Sequence, residues 1–466
     1  MTGAMAATPR PVDAYLGGRR IPLEDPEATT EMAVARVAAS SDEVRAIGGA
    51  ERAAILDRIA AGLEEHAHSL AGELSEEAGC LTRKDMASEV ERAVDLARLT
   101  AAETRAGFDE IVNLDGSPRG RHAFSIVRRV PIGPLLGITA FNAPLLIPAH
   151  KVCPAIAAGA PILLKPSPRV PGAAVAFAEL VVASGFPADA IAVLPVGDEL
   201  TMALVRDERL PVISFTGGPV GWKLRDAAPR KHVHLELGGP GAVLVAADAD
   251  LDVAARECTA GGFVRSGQAC LSVQRVFAVP EIHDALLRKL EALVAGLAVA
   301  GRDDGDPDVG PLVDEGAADR VAGMIEDALE KGARLVTGGE RDGSVVTPAL
   351  LADVTAEMAV MRREVFGPVI ALAQIEHLDE AVAEANSIGG MLQAGVFTRD
   401  LDLALSLAEE LDAGSVIING SNAWRVDSMP FGGTGLAGVG REGARAMVME
   451  ITTTKNIVIR HRPHLS

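Results

Sequence analysis

From residue 161 onwards, short apolar runs alternate with helical segments, and this alternation limits the possible folds more than any other feature of the chain. PILLK, AIAVLPV, PVISFTGG and HVHLELGG are separated by helical stretches such as VPGAAVAFAELVVASG. After residue 251 the alternation resumes with QRVFAVP, RLVTGG, VIALAQI, AGVFT and GSVIING. Short apolar strands alternating with helices are typical of parallel βαβ units. We therefore predict an α/β protein with a second α/β domain after residue 251.

Two segments depart from this rhythm. Residues 41–106 have apolar residues at spacings of three and four, which predicts helices, whereas residues 117–130 (SPRGRHAFSIVRRV) alternate and predict a strand or hairpin. The tail TTTKNIVIR (residues 452–460) predicts a further strand beyond the last helix. A strand needs a partner for its backbone groups.

Composition excludes several classes of function. The 466 residues are 48% hydrophobic, and the length indicates two or three domains. A net charge of −20 argues against sequence-independent nucleic-acid binding and against an electrostatic membrane anchor. The chain has no uninterrupted apolar run of membrane-spanning length, and its start lacks the pattern of a signal peptide. We expect a soluble, cytoplasmic protein.

The four cysteines form no CxxC or CxxH pair, so a zinc finger or a disulfide scaffold is not expected. Cys270 lies in RSGQACLSVQR, just before a predicted strand. Taken alone, a free cysteine is usually a small buried hydrophobe.

Other candidate groups lie near strand ends. In FTGGPVG, Gly217 and Gly218 join a strand to a helix, as in phosphate-binding turns, although such turns are also common as plain architecture. Lys165 in LLKPSP ends a strand, where it could hold a ribose or phosphate or simply be solvated. Asn142 precedes Pro144, where it could donate to an oxyanion or cap a helix.

Glu236 in LELGGP is unusual for an apolar strand, because a buried carboxylate must be paired, neutralised or functional. His232 and His234 share its strand face, but further ligands are not nearby, so we expect no metal site. A thiol, a carboxylate and an amide donor together suit acyl chemistry on a carbonyl.

The chain resembles the aldehyde dehydrogenase superfamily over nearly its whole length. The matching motifs occur in the family's order: PIGPLLGITAFNAPL, LLKPSP, SFTGGPVG, LELGGP, SGQAC, REVFGPV and MPFGG. The sequences of these motifs are similar to those of the branch that includes lactaldehyde and phosphonoacetaldehyde dehydrogenases. The resemblance implies oxidation of an aldehyde to a carboxylic acid, with NAD or NADP as the acceptor, through a cysteine thiohemiacetal and a thioester.

The resemblance also implies roles for individual residues. Cys270 would be the nucleophile, Glu236 the base that activates water, and Asn142 the oxyanion donor together with the Cys270 backbone N–H. The cofactor contacts that it implies are Phe141, Lys165, Ser167, Pro168, Gly217, Gly218, Glu364 and Phe366.

The family fold implies three units. They are a Rossmann-like cofactor domain (residues 1–116 and 131–236), a catalytic domain (residues 237–435) and a β-hairpin oligomerisation arm (residues 117–130 and 452–466). We accordingly expect a homodimer or homotetramer with a small-molecule aldehyde substrate.

Some positions depart from the family pattern. Pro168 stands where many NAD-preferring members carry an acid, which permits NADP. The substrate-mouth segment of residues 419–430 offers Trp424 and Arg425, and a guanidinium suits an anionic aldehyde. Arg425 could equally be a surface arginine.

Two alternatives stay open. In a CoA-acylating dehydrogenase, CoA rather than water would resolve the thioester, although Glu236 favours water. The chain could also be a dinucleotide-binding protein without turnover. A phosphate-binding kinase-type enzyme is not expected, because GxxxxGK[ST] is absent from the sequence.

Overall fold

The structure is a computed structural model that describes residues 13–301 and 306–460. Residues 1–12 of the predicted cofactor domain and residues 461–466 of the predicted arm lie outside the described residues.

The strands of the described residues are, in chain order, β1 (Ala14–Leu16), β2 (Arg19–Ile21), β3 (Glu110–Asn113), β4 (Ala123–Pro131), β5 (Leu135–Ile138), β6 (Ile162–Lys165), β7 (Ile191–Val193), β8 (Val212–Gly217), β9 (His232–Leu237), β10 (Gly241–Val245), β11 (Val273–Ala278), β12 (Arg334–Thr337), β13 (Arg341–Asp342), β14 (Val345–Val346), β15 (Ala349–Ala352), β16 (Val369–Gln374), β17 (Met391–Phe397), β18 (Ala413–Ile418), β19 (Gly438–Val439) and β20 (Thr452–Arg460).

The helices are α1 (Pro26–Ala39), α2 (Ser41–Ala46), α3 (Gly49–Glu65), α4 (Ala67–Ala78), α5 (Arg83–Ala106), α6 (Leu146–Ala158), α7 (Pro171–Ala183), α8 (Asp198–Arg206), α9 (Val220–Ala227), α10 (Leu251–Phe263), α11 (Pro280–Ala295), α12 (Glu315–Glu330), α13 (Ala359–Arg362), α14 (Leu378–Asn386), α15 (Leu401–Glu410) and α16 (Ala446–Glu450).

Two large sheets carry the fold. The first has the order β19-β9-β8-β5-β6-β7-β1-β2, and β9 through β7 are parallel within it. The second has the order β12-β15-β16-β11-β10-β17-β18, and only β12 is antiparallel. Central strands such as β6 and β10 are buried along their whole length, which explains their continuous apolar sequences. The predicted α/β fold with two sheets is confirmed.

The carboxyl edge of the first sheet gathers several of the candidate residues. Lys165 ends β6, Gly217 ends β8, and Glu236 lies one residue before the end of β9. Strand β5 leads directly into the segment that carries Asn142, while Cys270 lies three residues before β11 of the second sheet. Ligands of open α/β sheets collect at this kind of edge.

A third sheet, of order β20-β4-β3, is antiparallel and separate from the other two. It gives the tail strand β20 the partner that it requires, since all nine of its residues pair with β4. The first strand of this sheet lies at Glu110–Asn113, before the predicted hairpin of residues 117–130. Residues 118–120 instead form a short 3₁₀ helix, in which the Gly120 N–H donates to the Ser117 hydroxyl. The division into three units stays a prediction.

Candidate active site

A cavity of about 770 Å³ is lined by residues of the first sheet, of helices α5, α6 and α12, and of the segments that precede β11 and follow β18. Its volume is in the range of small-molecule sites. Its lining includes eight residues that the sequence singled out by motif: Phe141, Asn142, Gly217, Gly218, Glu236, Cys270, Glu364 and Phe366. Arg425 also lines it.

Cys270 is the one cysteine that lines this cavity, since Cys80, Cys153 and Cys258 are buried elsewhere in the described chain. Burial raises the pKa of the Cys270 thiol to about 12, and the charges of Glu364 and Glu236 add to the effect. Burial also raises the pKa of Cys80 and Cys153 to about 12, so acidity does not distinguish Cys270. Access to the cavity distinguishes Cys270 from the other cysteines.

Asn142 is buried, and its amide Nδ2 donates to the Gln268 carbonyl at 2.9 Å. The helix-cap alternative is wrong: α6 begins at Leu146, four residues later, and has no side-chain cap of its own. One amide hydrogen is therefore committed to the segment that precedes Cys270. The second remains for a ligand of the cavity.

Glu236 is 3% exposed, and its Oε1 lies 3.1 Å from His234 Nε2, although the contact lacks the alignment of a hydrogen bond. Burial raises the pKa of Glu236, while His234 opposes the shift. The other ring nitrogen of His234 lies 3.0 Å from the Ser214 hydroxyl. His232 contacts Glu450 instead, at 3.3 Å. Within residues 13–301 and 306–460, the histidines, cysteines and carboxylates form no metal-ligand set.

Glu364 closes the cavity beside the turn that follows β9. A Cβ on Gly238 would lie 2.1 Å from Glu364 Oε1, so a larger residue at this position would force the Glu364 carboxylate to move. Burial raises the pKa of Glu364 to about 7, and its buried Oε1 has no hydrogen-bond partner. Phe366 contacts Phe141 edge-to-face, with ring centroids 6.1 Å apart.

Several predicted contacts lie outside the cavity lining. Lys165, Ser167 and Pro168 are absent from it. Lys165 is buried rather than solvated, and burial lowers its pKa. Trp424 is 49% exposed and does not line the cavity.

Arg425 is not a surface arginine, because only 9% of its side chain is exposed. Its Nη2 donates to Glu442 Oε1 at 2.9 Å, and its Nε lies 3.4 Å from Asp427 Oδ1. The guanidinium stacks on Phe431, with Cζ 3.8 Å from the ring centroid. Asp427 also contacts His150 at 3.1 Å. Arg425 therefore belongs to a buried ionic cluster at the cavity wall.

The residues that α5 contributes to the cavity are not among those predicted from the sequence. Lys84, Ser88 and Arg92 recur at every fourth position, so they share one face of the helix, and all three line the cavity. The side chains of Lys84 and Arg92 are 58% and 32% exposed. Their spacing is visible in the sequence, but charged residues on a helix usually form a solvated face, so the spacing alone does not predict a site.

No helix of the described residues is long and apolar enough to cross a membrane.

Comparison with known proteins gives close relatives. The chain is 36% identical over 405 residues to the 3-sulfolactaldehyde dehydrogenase of Priestia aryabhattai, covering 86% of this chain and 84% of the relative. It is 32% identical over 415 residues to the lactaldehyde dehydrogenase of Methanococcus aeolicus, covering 87% of each.

Solved structures agree with the fold. The aldehyde dehydrogenase 21 of Physcomitrella patens, in complex with its reaction product succinate, superposes with a TM-score of 0.93 at 32% identity, covering 98% of this chain and 100% of that one. The NADP-dependent glyceraldehyde-3-phosphate dehydrogenase of Bacillus halodurans, complexed with NADP, gives 0.92 at 29% identity, covering 96% and 99%. The model of the aldehyde dehydrogenase family matches residues 20–457, and the chain belongs to this family.

Proposed function

We propose that the protein oxidises a small anionic aldehyde to its carboxylic acid, with NAD or NADP as the hydride acceptor. The observation that carries this proposal is the convergence of Cys270, Asn142 and Glu236 on one cavity. These groups are the nucleophile, the oxyanion donor and the base that the chemistry requires.

The residues fit a nicotinamide dinucleotide. Gly218 has open space where a Cβ would stand, and the unpartnered Glu364 Oε1 is a buried acceptor suited to a ribose hydroxyl. Gly217 and Gly218 precede the N-terminus of α9, where backbone N–H groups suit a pyrophosphate. When bound, the cofactor accepts the hydride that leaves the substrate carbon.

The chain's residues perform the remaining steps. Cys270 reacts as the thiolate, after its proton has passed to water. Its sulfur bonds to the aldehyde carbon, and the Asn142 amide donates to the oxygen that becomes negative. Loss of hydride leaves a thioester on Cys270. Glu236 then takes a proton from water, whose oxygen attacks the thioester carbon and releases the acid and the Cys270 sulfur. The raised pKa of Glu236 brings this carboxylate closer to the operating pH of a general base.

The charge of the α5 face supports an anionic substrate. Lys84 and Arg92 are partly exposed cations of the cavity lining and pair with Asp308 and Asp427, whereas Arg425 is buried between Glu442 and Asp427. Arg92 is a better candidate anchor than Arg425, because 32% of its side chain is exposed against 9%, although its guanidinium also pairs with Asp427. The relatives and solved structures above carry names that include a sulfonated aldehyde, succinate and a phosphorylated aldehyde.

The first experiment is reduced-cofactor formation by the wild type and by Cys270→Ser. NAD or NADP is supplied with neutral, carboxylated, sulfonated and phosphorylated aldehydes. We expect turnover that requires Cys270 and favours the anionic aldehydes. Turnover by Cys270→Ser would overturn the proposed mechanism, and a preference for neutral aldehydes would overturn the proposed substrate class.

The substrate anchor is tested with Arg92→Ala, which should raise the KM for anionic aldehydes by about tenfold or more and leave neutral ones nearly unchanged. Arg98→Ala is the matched control, because Arg98 is also on α5 but pairs with Glu64 at the exposed surface. Equal changes for both substrate classes would exclude Arg92 as the anchor.

The CoA-acylating alternative is tested in the same assay. Glu236 lines the cavity beside Cys270, which favours hydrolysis by water. Release of free acid without CoA is the expected result, and turnover only with added CoA would favour the alternative. A protein that turned over none of the aldehydes, with or without CoA, would favour the non-catalytic dinucleotide-binding alternative.

A further inference from the structure

Helix α5 also carries a fully buried carboxylate that does not line the cavity. Glu89 is 0% exposed and lies between two segments that are far apart in sequence. Its Oε1 accepts from the Leu145 and Leu146 N–H groups at 2.7 and 2.9 Å. Its Oε2 accepts from Arg265 Nη2 at 3.0 Å.

The first of these segments carries the oxyanion donor. Leu145 and Leu146 form the N-terminus of α6, which has no side-chain cap from its own segment. Glu89 supplies this cap from α5, since it binds two N–H groups that lack partners within α6 and places its charge at the positive end of the helix. Asn142 lies three residues before Leu145. Glu89 therefore fixes the backbone on which the Asn142 amide is carried.

The second segment leads to the nucleophile. Arg265, Ser266 and Gly267 have consecutive positive φ values of 53°, 58° and 71°. Residues other than glycine rarely adopt this backbone conformation unless contacts with other segments hold them in it. The restraints are the Glu89 contact, a hydrogen bond from the Arg265 N–H to Asp85 Oδ1 at 3.1 Å, and the contacts of Ser266 Oγ with Gly310 at 2.8 and 3.0 Å.

We propose that Glu89 is a positioning residue, which holds the Asn142 amide and the Cys270 loop at a fixed separation by binding the segments next to both. This inference rests on the proposed roles of Cys270 and Asn142. The two segments also meet directly, where Asn142 Nδ2 donates to the Gln268 carbonyl, but that single neutral bond uses the catalytic amide itself. Glu89 supplies a second, charged link behind the site.

The chain offers a matched control. Glu77 on α4 caps α7 in the same way: its Oε1 accepts from the Gly172 N–H at 2.5 Å and its Oε2 from the Ala173 N–H at 2.9 Å. Glu77 does not line the cavity and does not contact the Cys270 or Asn142 segments in these bonds. Glu77 is exposed whereas Glu89 is buried, so the two positions are compared by kcat, which a cap that only stabilises the fold should leave unchanged.

The experiment compares Glu89→Gln with Glu77→Gln in the full-length protein. Both should lower the temperature of thermal unfolding. We expect Glu89→Gln alone to lower kcat, by about 10–100-fold, because a displaced oxyanion donor no longer matches the transition state. Its KM for the cofactor should stay within about twofold of the wild type, since Glu89 is absent from the cavity lining.

A second readout separates positioning from general disorder. Alkylation of Cys270 by iodoacetamide needs the thiol but no oxyanion donor. Glu89→Gln should therefore retain an alkylation rate within about threefold of the wild type while kcat falls. Asn142→Ala is the reference that should show the same combination.

The outcomes distinguish the two proposals. An equal kcat for Glu89→Gln and Glu77→Gln would overturn the positioning role, as would parallel losses of alkylation and kcat in Glu89→Gln. If Glu89→Gln does not fold, Glu89→Asp is measured in the same way, because it keeps the charge and shortens the reach. Turnover by Cys270→Ser would instead overturn the proposed function, whatever Glu89→Gln does.

Discussion

Cys270 must lose its proton to attack a carbonyl, and its surroundings in the protein oppose this loss. Burial and the charges of Glu364 and Glu236 raise the pKa of the thiol to about 12. At any pH below this pKa, most of the Cys270 thiol is therefore protonated and unreactive. Alkylation by iodoacetamide should therefore increase about tenfold per pH unit between pH 7 and 10.

This prediction is checked by the rate of mass addition to the protein at each pH. Cys270→Ser is the control, because the three remaining cysteines are buried and should not react on the same timescale. A rate that levels off below pH 9 would show that the thiol is more acidic than its environment implies.

Arg425 illustrates how burial changes the meaning of a residue. The sequence left it as either a substrate anchor or a surface arginine, and the structure places it among Glu442, Asp427 and His150. Removing the guanidinium leaves the buried Glu442 carboxylate without its hydrogen-bonded cation, while Asp427 keeps Arg92 and His150. Arg425→Ala should therefore cost about 3–5 kcal/mol of stability, seen as a lower midpoint of thermal unfolding.

The control for Arg425→Ala is Arg98→Ala. Arg98 and Glu64 form an exposed pair, and such pairs contribute roughly 0–1 kcal/mol. Similar midpoints for the two variants would contradict a structural role for the buried cluster.

At the level of elements, the candidate residues at the strand ends could be predicted from the sequence, whereas those that α5 contributes could not. Gly217 and Glu236 follow from short apolar runs that end in glycine or in a charge, and Asn142 and Cys270 lie in motifs. Glu89 and Arg92 lie in a helix rich in Glu and Arg, where the same pattern is typical of a solvated face. Only packing against α6 and the Arg265 segment shows that Glu89 is buried.

The nucleophile loop depends on a glycine. Gly267 has a φ of +71°, and a Cβ there would lie 2.1 Å from the Gly367 carbonyl oxygen. Gly267→Ala should therefore displace the loop three residues before Cys270, lower kcat by at least about tenfold and reduce stability. Turnover and thermal unfolding of the purified variant measure both effects.

Gly323→Ala is the matched control for this element. Gly323 is exposed within α12 and has open space around its Cβ position, so alanine should stabilise the helix by about 0.5–1 kcal/mol and leave kcat unchanged. Wild-type turnover by Gly267→Ala would mean that the loop tolerates a different backbone path.

At the scale of the whole molecule, the two-sheet α/β fold follows from the alternation of strands and helices, because each buried parallel strand is apolar throughout. The first strand of the third sheet could not be placed in the same way. Strand β3 is exposed at all four residues. The predicted hairpin begins at residue 117, but Asp115 to Ser117 form a turn, so β3 lies before the predicted start. An exposed strand of four residues has neither a buried face nor a long periodic pattern.

The exposed third sheet bears on how copies of the chain assemble. Its residues include Ile111, 76% exposed, together with Val112, Ile457, Val458 and Ile459, all at least 40% exposed. Apolar side chains that are exposed together on a small, separate sheet indicate an association surface. We expect the wild type to sediment as a dimer or tetramer and the double variant Ile111→Lys/Val458→Lys to sediment as a smaller species, because the added charges oppose burial of this sheet.

Leu401→Lys is the control: Leu401 is 69% exposed on α15, outside this sheet, and its replacement should leave the mass unchanged. Analytical ultracentrifugation at a fixed protein concentration measures all three. A monomeric wild type would exclude the oligomer, whereas an unchanged mass of the double variant would place the interface elsewhere on the chain.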